Sequence, residues 1–346
     1  MPSETSPRAL DEAISTYIDT VHALNCFGHI LVWDDKAKTR RPGCAFVLGP
    51  RVQTSPANKI APNTTVTPDL MAVATSAYGI VAEAKLSFRG SVRDRQDDLN
   101  QLMKYDEDLL GWPTPTQRVE KSDLALLVHY SRKGDSRDIL EAAKNGGHFR
   151  TARSFAAVCF TRLTQTQQEY MALEHFWGAF SDGGIQKRLR PLLVPLEAVL
   201  PFCPAKMYDA PPPLPLLIQL AWDHVFNRLV PEEAFQSGKR ALEINCSVQE
   251  VRDWLAEACG PPRAYPRQPE IPQLDWVKEM FDFLVRAKLA VRAKGCADQY
   301  TVLYRRKKLA FFVEKYARSR SKKSAGMRRR GSGQRAPRDH PELPLG

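Results

Sequence analysis

The sequence predicts an α/β protein in two parts. Three observations carry this reading: helical and strand-like apolar spacings alternate over the first half, prolines crowd the stretch from Pro191 to Pro215, and beyond them three helical stretches precede a strand pair. At roughly 100 to 200 residues per domain, a chain of 346 residues favours two domains.

The elements follow in order. From Arg8 to Asn25 the residues Leu10, Ile14, Tyr17, Ile18, Val21 and Leu24 recur at three- and four-residue spacing, which predicts an amphipathic helix that also carries Glu12 and Asp19. His29 to Trp33 and Cys44 to Leu48 read as strands, and Gln53 to Thr65 reads as a loop. Val66 to Phe88 reads as two adjacent strands carrying Asp69, Glu83 and Lys85. Gln96 to Leu110 has helical spacing and stops at Gly111-Trp112-Pro113.

Leu124 to Tyr130 is a continuous apolar run, as expected for an interior strand buried on both faces. A short helix over Ser136 to Lys144, a strand over Ser154 to Thr161, and a strand or short helix over Glu169 to Phe180 complete the first half. Pro191, Pro195, Pro201, Pro204, Pro211 to Pro213 and Pro215 exclude one long regular element there and mark a linker. After it come helices over Leu214 to Leu229, Ser247 to Ala258 and Leu274 to Lys288; Ser247 followed by Glu250 is a capping box. Ala290 to Ala293 and Gln299 to Tyr304 read as a hairpin. Arg318 onward is rich in Ser, Arg, Lys and Gly, the composition of a disordered basic tail.

Composition excludes some classes. The chain is 43% hydrophobic with a mean hydropathy of -0.38, and it has no apolar run near the roughly 18 residues of a membrane span. Its first residues lack the pattern of a secretory leader, so a cytoplasmic protein without membrane contact is expected. The cysteines are odd in number and scattered without zinc-finger spacing, as for reduced buried thiols. A net charge of +11, concentrated at Arg305 to Lys308 and Arg318 to Arg330, favours a polyanionic partner.

The chemistry sits in the strand pair. Two carboxylates from neighbouring strands, Asp69 and Glu83, can hold a hard divalent cation such as Mg²⁺ or Mn²⁺ through oxygen ligands. Lys85 lies two residues past Glu83 and projects to the same face, since strand side chains alternate. This is minimal equipment for metal-assisted phosphodiester hydrolysis. Gln101 and Tyr105, four apart, share a face of the next helix and can position the lysine or the substrate. A second triplet, Asp34-Asp35-Lys36, lacks an upstream Pro-Asp and reads as a solvated charge cluster.

Pro68-Asp69, Glu83-Ala84-Lys85 and Gln101-Leu102-Met103-Lys104-Tyr105, in that order over the first half of the chain, resemble the PD-(D/E)XK nuclease superfamily, in particular its RecB-like members with a Gln-x-x-x-Tyr element. The resemblance implies a restriction-endonuclease-like αβββαβ core and cleavage to 5′-phosphate and 3′-hydroxyl ends. It also implies a further acidic metal ligand from the first helix, for which Glu12 is the candidate, with Asp19 behind it. The helix, helix, helix, hairpin order beyond the linker is the outline of a winged-helix module. There Lys278, Arg286 and Lys288 are candidate DNA contacts on the third helix, with Arg292, Lys294, Arg305 and Arg306 on or beside the wing.

The expected organisation is a nuclease-like domain over 1–185, a proline-rich linker over 186–213, a winged helix over 214–308, and a short helix and basic tail over 309–346. The expected function is a metal-dependent DNA endonuclease, and cutting both strands with one site per chain favours a homodimer. The alternatives are a non-catalytic DNA-binding or regulatory protein with a nuclease-like fold, and a protein-docking adaptor.

Overall fold

A computed structural model of the chain describes residues 7–34, 36–58, 61–75, 77–85, 88, 91–106, 109–113, 119–199, 207–230, 242–260, 271–293, 295–296 and 298–304. It is a mixed α/β structure around a seven-stranded sheet. No helix among the described residues is long and apolar enough to cross a membrane.

The first helix, α1 (Pro7–Val32), is longer than its sequence spacing predicts. His29 to Trp33, expected as a strand, forms its last turns; only Trp33–Asp34 pairs, with Thr39–Arg40. A short apolar run reads alike in a buried helix and a buried strand. Here the run extends a helix that is already apolar on most sides, with Val21, Ala23, Leu24, Cys26 and Phe27 fully buried.

The sheet strands are β1 (Ala45–Leu48), β2 (Leu70–Val73), β3 (Tyr78–Lys85), β4 (Lys121–His129), β5 (Phe155–Gln165), β6 (Gln168–Gly178) and β7 (Leu192–Pro195), and they lie side by side in chain order. β3, β4 and β5 are parallel neighbours, joined by α2 (Val92–Met103) and α3 (Lys133–Asn145); the other pairs are antiparallel. Thr166 and Gln167 both take positive φ, 45° and 68°, in the two-residue turn that makes β5 and β6 a hairpin. That decides Glu169 to Phe180 as strand.

Alternation along β4 sorts the two faces. Leu124, Leu126 and Val128 pack with Leu99 and Leu102 of α2 and Leu140 of α3, whereas Ala125 and Leu127 face the core that contains α1. Ala82, Ala125 and Ala156 stand in register across three strands on the α1 side, and small residues in a row let the helix approach closely. The sheet does not end where the linker was expected to begin. β7 pairs with β6 over Leu192–Pro195, and α4 (Gly183–Arg188) and α5 (Leu196–Val199) flank it, so residues 186–199 belong to the first unit. Prolines are tolerated in β7 because it is an edge strand.

The second unit contains α6 (Leu214–Ala221), which runs through a π turn over Trp222–Phe226 into Asn227–Leu229. Then follow β8 (Leu242–Ser247), α7 (Val248–Cys259), α8 (Leu274–Arg286), β9 (Ala290–Arg292) and β10 (Gln299–Tyr304). Ser247 and Glu250 form both halves of the expected capping box. β8, not anticipated, joins the expected hairpin in a sheet of order β8-β10-β9. One apolar cluster runs from Leu10 of α1 to Tyr304 of β10, and Met207 and Tyr208 are buried within it. Lys294, Arg305, Arg306 and the basic tail lie outside the described residues.

Candidate active site

Asp69, Glu83, Lys85, Gln101 and Tyr105 come together at the carboxyl end of β3. Leu70 pairs with Ala82, so Asp69, one residue before β2, sits beside the end of β3 that bears Glu83. Its Oδ2 accepts the Ala84 N–H at 2.6 Å, and its backbone carbonyl accepts from Gly49 at 2.9 Å. Ser91 caps α2 by accepting the Asp94 N–H, and Leu99 and Leu102 anchor the helix on the sheet, which turns its polar face to Glu83.

Gln101 is the bridge. Its Nε2 donates to Glu83 Oε1 at 2.6 Å, and its Oε1 accepts from Lys85 Nζ at 2.7 Å. Tyr105 lies just past the end of α2, in a turn where its N–H reaches back to Leu102; its hydroxyl donates to Glu83 Oε2 at 3.2 Å. Lys85 Nζ is also 3.3 Å from Glu83 Oε1 and 3.8 Å from Asp98 Oδ1.

Two carboxyl groups at this site were not anticipated. Asp98 is buried on α2 three residues before Gln101, so Asp98, Gln101 and Tyr105 recur at helical spacing on one face, a signal that was present in the sequence. Asp209 arrives from the proline-rich stretch and hydrogen-bonds Asp69 through their side chains. Nothing local in Tyr208-Asp209-Ala210 marks it, because 140 residues separate it from Asp69.

The electrostatics follow from burial. Asp69 and Glu83 are 6% and 4% exposed. Burial, followed by the charges of Glu83 and Asp209, holds the Asp69 carboxyl well above the usual carboxylate range. Burial pushes Glu83 up to about 7 from 4.5, with Asp209 adding to the rise while the Lys85 ammonium and the Tyr105 hydroxyl oppose it. Asp209 is raised by burial too, although its bond with Asp69 draws it down. Among the described residues Lys85 is the ammonium that meets this group of carboxyls.

Among the described residues no three His, Cys, Asp or Glu side chains form a group that could hold a metal ion. The site carboxylates are instead held by one another and by Lys85, Gln101 and Tyr105. Excess negative charge buried with insufficient compensation is what a divalent cation relieves, so the donor chemistry of Asp69 and Glu83 fits Mg²⁺ or Mn²⁺.

Glu12, expected as the first-helix ligand, is exposed and lines a cleft of about 1170 Å³ with Arg8, Asp19, His129, Arg132 and Trp276. It does not figure among the groups that perturb Asp69 or Glu83. Asp19 pairs with Arg162 at 3.2 Å. Asp34 of the second triplet accepts the Lys36 and Ala37 N–H groups at 2.9 and 3.1 Å and caps a turn, which holds its carboxyl below the usual range.

On the second unit, Arg286 and Lys288 are exposed and Lys278 is half-buried. Arg292 is held by its own unit, with Nη2 at 3.2 Å from Asp282 Oδ1 and 2.9 Å from the Tyr300 hydroxyl, and with its guanidinium over the Tyr300 ring. α8 also carries Asp275, Glu279 and Asp282 against Lys278 and Arg286, so its charge is slightly acidic rather than basic.

Protein-family models, curated proteins and solved structures were each compared with the chain, and none matched.

Proposed function

We propose that this chain is a metal-dependent DNA endonuclease, with a restriction-endonuclease-like core followed by a winged-helix domain that assists DNA binding. The observation that carries the reading is the Gln101 side chain joined at once to Lys85 and Glu83, beside Asp69. Five polar residues from three separate stretches of sequence converge there, as the resemblance to PD-(D/E)XK nucleases implies. The second unit supports its part of the reading by its order: helix, strand, two helices and a hairpin, with the early strand completing the sheet.

Asp69 and Glu83 would hold Mg²⁺ or Mn²⁺. When bound, such an ion acts as a Lewis acid on a phosphoryl oxygen and eases deprotonation of water. The chain's own contribution is positional. Gln101, Glu83 and Asp98 fix the Lys85 ammonium at the site, where its charge can orient water and meet the charge growing on the phosphate. Attack forms a water-oxygen to phosphorus bond and breaks the bond to the 3′ oxygen. The water loses a proton and the leaving oxygen gains one, giving 5′-phosphate and 3′-hydroxyl ends.

Lys278 and Arg286 of α8, with Lys288 in the turn just past its end, would contact DNA. Because α8 itself carries one more acid than base, the sequence's basic tail supplies most of the attraction. Removing residues after Ala317 is therefore expected to weaken DNA binding by roughly 10- to 100-fold at low salt and to flatten its salt dependence, as measured by fluorescence anisotropy across a salt series. The nuclease reading is tested by incubating the full chain with plasmid, linear duplex and single-stranded DNA in Mg²⁺, Mn²⁺ or chelator. Cutting is expected only with metal. A second reading, a nuclease-like protein that binds DNA without cutting, draws on the near-complete burial of Asp69 and Glu83, and it predicts metal-independent binding and no cutting.

A further inference from the structure

The first helix reaches the site with a tyrosine in place of an acid. Tyr17 is buried, its hydroxyl donates to the Ala210 carbonyl at 3.1 Å, and it accepts the Tyr208 N–H at 3.3 Å. It thereby grips the backbone on both sides of Asp209, and its ring lies 5.2 Å from that of Tyr208. Gly49 opens the other side. It takes φ +56°, and a Cβ placed on it would stand 3.1 Å from the Asp209 Cβ, tighter than ordinary contact. Its N–H meanwhile holds the Asp69 carbonyl at 2.9 Å. Asp209 is thus set against Asp69 by two independent devices.

Once there, Asp209 is underused by the protein. Its Oδ1 is shut from solvent and has no hydrogen-bond partner among the described residues. A carboxylate oxygen so placed is retained at a cost unless something positive meets it. The Lys85 charge is felt at Asp209, but its contacts are with Gln101, Glu83 and Asp98. The unmet acceptor, on a carboxyl bonded to Asp69, matches the oxygen-ligand demand of a hard divalent cation.

We infer that Asp209 is a third metal-ligating carboxylate, supplied by the segment between the two units, and that Tyr17 is the residue that positions it. The inference rests on the metal site of the nuclease reading. It assigns to Asp209 the part that the resemblance gives to an acid of α1. It also ties metal binding to the second unit, since Asp209 leads directly through Pro211 to Pro213 into α6.

The test is Mn²⁺ binding to the full chain by titration calorimetry, with the Mn²⁺-induced rise in melting temperature as a second readout and no DNA present. Asp209→Asn is expected to weaken Mn²⁺ by roughly 10- to 100-fold, on the scale of losing one member of a metal's supporting set. Glu12→Gln should bind as the wild type does. Tyr17→Phe leaves every carboxyl in place and is expected to weaken Mn²⁺ several-fold, so it decides the matter even if Asp209→Asn folds poorly. Wild-type affinity in both Asp209→Asn and Tyr17→Phe, with binding lost in Glu83→Gln, overturns the inference and leaves the nuclease reading standing. No Mn²⁺ uptake by the wild type overturns both.

Discussion

Lys85→Ala is expected to slow DNA cleavage by roughly 10²- to 10³-fold under single-turnover conditions, the scale of removing one preorganised donor aimed at developing charge. The side chain is 14% exposed, and its ammonium is fixed by Gln101 at 2.7 Å and Glu83 at 3.3 Å, so little reorganisation accompanies its use. Lys85→Arg should fail nearly as badly. A planar guanidinium spreads its charge over a fork, and neither fits the slot between Gln101 and Glu83 that a compact ammonium fills. Gln101→Ala removes the tether but keeps the charge, so a smaller loss than that of Lys85→Ala is expected. Equal rates for the wild type and Lys85→Ala would remove the lysine from the chemistry.

Glu83→Gln is expected to abolish cleavage and yet raise stability in metal-free buffer at pH 8. The sign follows from its folded-state value of about 7 against an ordinary 4.5. Below both values the folded and unfolded chains carry the proton alike, and the group contributes nothing. Between them the folded chain keeps a proton that the unfolded chain has released, so stability falls as pH rises. Above both the penalty is complete, on the order of 3 kcal/mol.

Glutamine keeps an acceptor for the Gln101 amide and never ionises, so the variant should match the wild type near pH 4 and exceed it at pH 8 by up to about 3 kcal/mol. Chemical denaturation at the two pH values measures this. Added Mn²⁺ should narrow the gap, since it stabilises only a native state that binds it. A variant that is less stable than the wild type at pH 8 would show that the carboxylate is well compensated without a cation. Stability gained as activity is lost is the usual mark of a site built for something other than stability.

The five residues of the site were legible because their signals are short-range. Glu83 and Lys85 share a strand face, Gln101 and Tyr105 are four apart, and the continuous apolar run at Leu124 fixes β4 as an interior strand that holds β3 in place. What escaped has long-range causes. Asp209 is placed beside Asp69 by contacts far away in sequence: Tyr17, 192 residues before it, grips the backbone on both sides of it, and Gly49 packs against it. The end of α1 reads as a strand because its burial on most sides hides the helical period. β7 was hidden by the prolines that an edge strand tolerates. Glu12 fitted the expected role by position in the first helix, but the fold turns it to solvent and brings Tyr17 inward.

The most direct test of the account is single-turnover cleavage of end-labelled DNA in Mg²⁺ by the wild type and Glu83→Gln, with the termini of the products mapped. The account predicts that the wild type cuts to 5′-phosphate and 3′-hydroxyl ends, that chelator stops it, and that Glu83→Gln leaves the DNA intact. A wild type that cuts nothing in Mg²⁺ or Mn²⁺, or a variant that cuts as fast as the wild type, would contradict it.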